Sequence, residues 1–271
     1  MKLLEKTFPT PLGPIHYWTQ RAMEDAPWLV FLPGLTADHR LFDGQMAALG
    51  NRYHCLVWDA PAHGASRPFD LHFSMDDMAQ YLHGILAAEN IERPVLVGQS
   101  MGGYVAQVFI ARWPEEVRGF IAIDSAPLSR AYFTRAELAL LKHTQGLYLA
   151  FPWRLLLVAG SHGCAETAYG RRLMAMMMQG YSKQEYCALA GHGYRLIAEA
   201  VEARADYRLE CPTLLLLGEH DKAASTARYN RMWAAREGQQ LVLVPGAGHN
   251  ANTDNVDFVN REIEGFVKRL G

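Results

Sequence analysis

The sequence predicts an α/β fold, in which a doubly wound sheet has helices on both of its faces. Six short apolar runs alternate with helical patterns, and most of the runs end at Gly, Pro or Asp. Such runs are too short for helices and are typical of strands buried on both faces, as in a parallel sheet. They cover residues 28–32, 55–58, 95–97, 120–123, 213–217 and 241–244. Strands and helices that alternate in this way indicate a doubly wound sheet.

Two segments outside these runs have the apolar stripe of an amphipathic helix. Residues 74–89 begin with Ser74 and Asp77 in the spacing of a capping box, which satisfies free amides at the start of a helix. Their apolar side chains then recur on one face, at Met78, Tyr81, Leu82, Ile85 and Leu86. Residues 256–270 have a similar stripe, and we expect a helix there as well.

The beginning of the chain has a different pattern. Residues 8–19 are interrupted by Pro11-Leu-Gly-Pro14, which is the chemistry of a turn. We therefore expect an antiparallel hairpin at the edge of the sheet.

Residues 129–208 break the alternation of strands and helices. This stretch has few strand-like runs and several helix starts. Capping-box spacing occurs in it at Thr134 with Glu137 and at Ser182 with Glu185. We expect a helical cap here, inserted between two core strands, so that residues 1–128 and 209–271 form the core.

Length, composition and charge limit the kind of molecule this is. With 271 residues, 50% of them hydrophobic, the chain can bury one sizeable core. Its 26 Lys and Arg nearly balance 28 Asp and Glu, so no strong field favours nucleic acid or an anionic membrane surface. No window reaches the roughly 18 consecutive apolar residues that a membrane span needs. The charged start MKLLEKTFPT does not resemble a secretion signal.

The cysteines are scattered and include no CxxC pair. They are Cys55, Cys164, Cys187 and Cys211. This spacing disfavours a metal site or a disulfide framework, and it favours a cytoplasmic location, where thiols stay reduced.

A glycine-rich turn between a strand and a helix carries the strongest chemical signal. The apolar residues 94–97 run into Gly98-Gln-Ser100-Met-Gly102, and an apolar helical pattern follows at residues 104–110. A serine at such a turn has a strained backbone that lifts its Oγ out of the sheet. We therefore predict Ser100 as a nucleophile. The Met101 amide at the start of the helix would face any negative charge that develops there.

A serine hydroxyl needs a base, and His249 is the best placed of the eleven histidines. It follows the apolar run 241–244, in a loop of small residues at a strand's carboxyl end. Asp221 follows the run 213–217 in the same way and would orient the imidazole. Glu219 and Asp124 are the competing acids.

A second donor is needed for a negative charge on the substrate oxygen. Residues 28–35 form a predicted strand that ends in a turn at Pro33-Gly34-Leu35. The Leu35 amide could point into the same pocket as the Met101 amide, as an oxyanion hole requires.

At these residues the chain resembles the α/β-hydrolase fold family over essentially its whole length. The similarity lies in the oxyanion loop 32–35, the segment 59–68, the elbow 98–103, the acid loop 218–221 and the histidine loop 246–249. The resemblance implies an eight-stranded, mostly parallel sheet with a lid at residues 129–208. It also implies that His63 is a structural brace. Ser100 separates the chain from haloalkane dehalogenases and epoxide hydrolases, whose nucleophile is an aspartate.

The predicted cap is rich in methionine and aromatic residues that could line an apolar substrate pocket. The candidates are Trp153, Met174, Met177 and Met178. The cap also carries ten Lys and Arg against six Asp and Glu. Of these, Arg171 and Arg172 could meet a substrate carboxylate, although solvated surface charges are the simpler interpretation.

These features predict a carboxylic-ester hydrolase that cleaves a small-molecule ester or lactone through an acyl-enzyme on Ser100. The reaction requires neither a metal nor an organic cofactor, and no oligomeric state is indicated. A rival within the fold is a C–C bond hydrolase of the meta-cleavage-product type, whose acidic substrate would suit the cap's cations. A rival of another class is a small-molecule receptor built on the same fold.

Overall fold

The computed structural model describes residues 3–22, 25–223 and 225–271. Within these residues an eight-stranded sheet has the order β1-β2-β4-β3-β5-β6-β7-β8. Its strands are β1 Leu4–Thr10, β2 Gly13–Gln20, β3 Trp28–Leu32, β4 His54–Trp58, β5 Val95–Gln99, β6 Gly119–Ile123, β7 Thr213–Gly218 and β8 Gln240–Val244. Strands β3 to β8 run parallel, whereas β1 and β2 are antiparallel to their neighbours. The predicted fold class is therefore confirmed.

Helices connect the strands and cover the sheet. They are α1 Asp43–Leu49, α2 Met75–Ala88, α3 Met101–Arg112, α4 Arg135–Lys142, α5 Thr144–Ala150, α6 Trp153–Cys164, α7 Ala168–Gln179, α8 Lys183–Glu202, α9 Thr226–Glu237, α10 Ala251–Asp254 and α11 Val256–Arg269. Short 3₁₀ helices occur at His39–Phe42, Pro114–Glu116 and Arg130–Tyr132. No described helix combines the length and apolarity that crossing a bilayer would take.

The apolar runs of the sequence become the central strands. Every residue of β3, β5, β6 and β7 is buried, because helices cover both faces of the sheet at its centre. Strand β8 departs from this expectation. It is an edge strand, and the side chain of Leu243 is 47% exposed.

The hairpin at the start of the chain is longer than its apolar pattern suggested. Strand β1 already begins at Leu4, and its register with β2 runs to the pair Thr10 and Gly13. One side of an edge strand faces solvent, so the first half of β1 contains polar residues. The apolar pattern of the sequence therefore did not show that the strand begins there. Strand β2 is not at the edge, because it also pairs with β4.

Between β6 and β7 the described chain forms the five helices α4 to α8 and no strand. Two of these helices begin with complete capping boxes, in which Thr134 pairs with Glu137 and Ser182 pairs with Glu185. The sequence spacing predicted both. The division into a core and a cap at residues 129–208 stays a prediction.

Candidate active site

The strand-to-helix turn after β5 holds Ser100 in a conformation that few residues adopt. Its φ is 49° and its ψ is −118°. The turn is also crowded. A Cβ on Gly98 would lie 2.5 Å from the Gly103 backbone, and one on Gly102 would lie 1.9 Å from the Leu32 carbonyl oxygen. Only glycine fits at these two positions. The turn places Ser100 at the carboxyl end of the central strands.

Hydrogen bonds to the end of β6 fix this turn. The Ser100 amide donates to the Ile123 carbonyl over 2.9 Å. The Ser125 hydroxyl donates in turn to the Ser100 carbonyl over 2.8 Å. Both backbone groups of Ser100 are therefore bonded, and its side chain stays free to point into the site.

The structure brings Ser100, His249 and Asp221 into contact, with His249 between the other two. His249 Nε2 lies 2.9 Å from Ser100 Oγ, and its Nδ1 lies 3.0 Å from Asp221 Oδ2. The Asp221 side chain is fully buried, and that of His249 is 11% exposed. A carboxylate, an imidazole and a hydroxyl linked in this way can move the hydroxyl proton to the ring.

Backbone contacts hold the acid loop and the histidine loop against each other. A Cβ on Gly218, at the end of β7, would lie 2.0 Å from the Gly248 carbonyl oxygen. The second oxygen of Asp221, Oδ1, accepts the Ala223 amide over 2.8 Å. Small residues therefore let the two loops approach closely enough for the histidine to meet the carboxylate.

Gln99 is a positioning residue that the sequence argument did not single out. Its side chain is buried, and its Nε2 donates to the His249 carbonyl over 2.9 Å. The same amide nitrogen lies 3.3 Å from Asn250 Oδ1. A polar residue in a glycine-rich elbow was the available signal, but its partner was not visible in the sequence.

Asp124, the competing acid after β6, is occupied elsewhere. Its Oδ1 accepts the Gly218 amide over 2.6 Å, and its Oδ2 accepts the Ala251 amide over 3.0 Å. Burial, followed by the nearby charge of Asp221, raises the pKa of Asp124 well above its ordinary range. Asp124 therefore ties the end of β7 to the start of α10 and does not orient the histidine.

Glu219, the other competing acid, makes no hydrogen bond to the His249 ring, whose described partners are Asp221 and Ser100. Its side chain is 51% exposed. One of its oxygens, Oε2, accepts the Gly246 amide over 3.0 Å. It therefore braces the histidine loop from outside the site.

The electrostatic surroundings of His249 favour its protonated form more than those of an ordinary histidine do. Burial lowers its pKa, but the charge of Asp221 and the hydrogen bond that the ring donates to that carboxylate raise it. The charge of Asp124 adds to the increase, and the net shift is upward. His249 is therefore a stronger base than a free imidazole, which suits a group that accepts the serine proton.

Two backbone amides are available beside the serine. A Cβ on Gly34 would lie 3.0 Å from Ser100 Cβ, so the loop after β3 passes directly beside the Ser100 side chain. Leu35 follows in this loop and lines a cavity with Ser100, while Met101 is the first residue of α3. Neither amide donates to a backbone carbonyl among the described residues. That these two amides form an oxyanion hole stays a prediction.

Two adjoining cavities meet at Ser100 and His249. The inner cavity measures about 140 Å³ and the outer one about 670 Å³. Tyr148 and Tyr194, whose hydroxyl oxygens lie 3.4 Å apart, belong to the walls of both. A third cavity, of about 770 Å³, lies at the opposite end of the strands and contains none of the predicted site residues.

The predicted pocket residues divide into two groups. Met174 lines the inner cavity. Met177, Met178 and Trp153 line neither of the two cavities at Ser100. The Met177 sulfur lies 3.4 Å from the Asp38 amide, and the Trp153 ring packs at a tilt against that of Tyr186, with the ring centres 5.3 Å apart. Helix α7 turns only part of its methionine face toward the site, because the rest packs on the core.

None of the cations of residues 129–208 lines either of the two cavities at Ser100. Arg171 lies 3.0 Å from Glu166 and also donates to the Ala165 carbonyl. Arg172 is exposed. Among the described residues, no lysine or arginine lines the inner cavity, and Lys222 is the only one that lines the outer cavity.

One group of side chains has ligand atoms close enough to hold a metal ion. In the part of the chain that the structure describes, Asp38, His39 and Asp59 place theirs within 4.8 Å of one another. Each is already paired, since Asp59 Oδ1 meets His39 Nδ1 at 2.9 Å and Asp38 meets Arg40 at 2.6 Å. This donor set serves as a brace of the loops. The nearby His63 is buried, and its Nδ1 lies 2.9 Å from the Pro61 carbonyl.

The sequence of the chain matches that of a known family along most of its length. A sequence model described as the alpha/beta hydrolase family covers residues 29–262. The chain belongs to the alpha/beta hydrolase family. Among curated relatives of this hydrolase, the 2-(acetamidomethylene)succinate hydrolase of Mesorhizobium japonicum is 24% identical over 261 residues. That match covers 91% of this chain and 90% of the relative.

Solved structures of similar shape support the same fold. An esterase from Thermogutta terrifontis superposes on this hydrolase with a TM-score of 0.78 at 20% identity, covering 100% of this chain and 99% of that one. The enol-lactonase from Burkholderia xenovorans LB400 has a TM-score of 0.69 at 22% identity, with coverages of 94% and 97%. The resemblance inferred from the sequence motifs is therefore confirmed.

We expect Gly102→Ala to destabilise the protein by about 1–3 kcal/mol or more, because the new methyl group collides with the Leu32 carbonyl. Thermal unfolding measures the change. Gly146→Ala is the matched control, since nothing lies within 4 Å of a Cβ there. Gly146 lies in α5, and we expect an alanine at that position to be neutral or slightly stabilising. Equal melting temperatures for the two variants would contradict the crowding at the elbow.

We expect the rate at which a fluorophosphonate labels Ser100 to rise with pH as His249 loses its proton. The midpoint should lie above the ordinary histidine value of about 6.5, because Asp221 stabilises the imidazolium. Asp221→Asn should lower both the rate and the midpoint. Burial lowers the pKa of His249, and in this variant the charge of Asp221 no longer opposes that effect. The control Glu219→Gln removes an exposed charge of the same loop and should leave the midpoint unchanged. A midpoint that Asp221→Asn leaves in place would refute this account of His249.

Proposed function

We propose that this protein is a serine hydrolase that cleaves a small-molecule carboxylic ester or lactone through an acyl-enzyme on Ser100. The unbroken chain of contacts from Asp221 through His249 to Ser100 carries the proposal. It ends in a cavity, beside two amides that are free to bind an oxyanion.

The first half of the reaction forms the acyl-enzyme. Ser100 Oγ attacks the carbonyl carbon while His249 Nε2 accepts its proton, and Asp221 stabilises the imidazolium. The carbonyl oxygen becomes an oxyanion that the Leu35 and Met101 amides bind. When the tetrahedral intermediate collapses, His249 donates its proton to the departing alkoxide, and the alcohol leaves.

The second half releases the acid. A water molecule takes the place of the alcohol, and His249 accepts its proton as the oxygen attacks the acyl carbonyl. The same two amides bind the second oxyanion. Collapse returns the proton from His249 to Ser100 Oγ and frees the carboxylic acid. Every proton in these steps has a partner in the chain or in water, so the reaction as written uses no metal or organic cofactor.

We further propose that residues 129–208 act as the cap and residues 1–128 and 209–271 as the core. The helices after β6 supply Tyr148, Met174 and Tyr194 to the cavity walls, whereas the core supplies the reacting groups. The cationic surplus of residues 129–208 would suit the acidic substrate of the C–C hydrolase alternative. The ion pair of Arg171 with Glu166 and the absence of described cations from the inner cavity favour the ester.

We expect Ser100→Ala to lower kcat for a p-nitrophenyl ester by at least about 10³-fold, because the nucleophile is lost while the fold remains. The melting temperature should stay close to that of the parent protein. Ser129→Ala is a matched control, since Ser129 is a buried serine that bonds the Ala205 carbonyl outside both cavities. Near-normal turnover in Ser100→Ala would disprove the proposed mechanism.

A further inference from the structure

The residues that line the inner cavity but not the outer one are buried, apart from the half-buried Leu35. The loop that carries the proposed oxyanion donor, Leu35 to Ala37, belongs to its wall and not to that of the outer cavity. Met174, Tyr186 and Ala190 complete this wall, with exposures of 4%, 8% and 1%. The lining residues leave a space of about 140 Å³ beside Ser100.

The outer cavity reaches the surface. Leu140 on its rim is 59% exposed, and the Lys222 side chain is 77% exposed. Its apolar wall is made by Tyr104, Phe133, Leu141, Ile197 and Tyr229. At about 670 Å³, and with an exposed rim, this cavity sets no sharp limit on the size of its occupant.

The order of the two chemical steps assigns one part of the ester to each cavity. The alcohol must leave while the acyl group is still bonded to Ser100, and a water molecule must then reach the acyl carbonyl. An alcohol in the outer cavity can leave through the exposed rim without displacing the acyl group. An alcohol in the inner cavity would leave the acyl group in the outer one, between the alcohol and the exposed rim.

The oxyanion loop places the reacting carbonyl beside the inner cavity. The carbonyl oxygen of the acyl group must lie at the Leu35 and Met101 amides throughout both steps. The Leu35 loop lines the inner cavity alone and Ser100 lines both, so the reacting carbonyl lies where the two cavities meet.

Resting on the proposed function, we propose that the inner cavity binds the acyl group and limits its length, while the outer cavity binds the alcohol. A water molecule needs about 10–15 Å³ of such space, so the inner cavity holds an acyl group of about ten non-hydrogen atoms. Because no described cation lines it, the acyl group is uncharged. The substrate class is thus esters of short, uncharged acids with bulky apolar alcohols.

Two ester series test this assignment. One varies the acyl chain of p-nitrophenyl esters from two to sixteen carbons, and the other varies the alcohol of acetate esters from ethanol to 1-naphthol and decanol. We expect kcat/KM to fall at least tenfold once the acyl group exceeds about ten non-hydrogen atoms. Across the acetates we expect no such fall with alcohol size.

Variants of the inner wall should move the acyl limit and leave the alcohol series in its original order. Ala190→Leu fills the cavity and should shorten the longest acyl chain that is cleaved efficiently. Met174→Ala enlarges the cavity and should lengthen it. Met176→Ala is the matched control, since it is the same change on the same helix at a side chain that is 50% exposed. We expect the control to leave both series unchanged.

The outcomes separate this proposal from the proposed function. A size limit in the alcohol series, or an Ala190→Leu effect confined to that series, would reverse the assignment and overturn this proposal alone. Equal limits in both series would overturn it as well. If no ester of either series is cleaved and a fluorophosphonate leaves Ser100 unlabelled, the proposed function itself fails, and this proposal fails with it.

Discussion

Ser100 has a backbone conformation that costs on the order of 1–3 kcal/mol, and the surrounding chain is built to hold it there. Its amide and carbonyl are bonded to Ile123 and Ser125 at the end of β6. Gly98 and Gly102 allow the strand, the turn and the next helix to pass within a distance that excludes any side chain. Because the turn cannot relax, the hydroxyl stays where two later loops can reach it.

Those two loops depend on a second buried carboxylate. Asp124 bonds the amides of Gly218 and Ala251, and so sets the distance between the loop of Asp221 and the loop of His249. Gln99 adds a bond from the elbow to the His249 carbonyl. These hydrogen bonds join loops that follow neighbouring strands at the carboxyl edge of the sheet. Ends of parallel strands serve well for this purpose, since they meet at one edge of the sheet.

The sequence predicted the parts of this site whose chemistry is local. Glycines around Ser100 and small residues around His249 follow from the space that a turn needs, and the buried strands follow from continuous apolar runs. The pairing of Asp124 with Gly218 and Ala251 could not be predicted, because it joins three distant segments. The same holds for the methionines of α7. Their spacing showed a common face, but only packing decides that Met174 reaches the cavity and that Met177 lies against Asp38.

The most direct test of the account is to identify the residue that carries the acyl group. A p-nitrophenyl dimethylcarbamate should release one equivalent of p-nitrophenol in a burst, because carbamoyl-enzymes hydrolyse slowly. Peptide mass spectrometry should then find the dimethylcarbamoyl mass on the peptide that contains Ser100, and Ser100→Ala should give neither burst nor adduct. A burst that leaves Ser100 unmodified, or that persists in Ser100→Ala, would contradict the account.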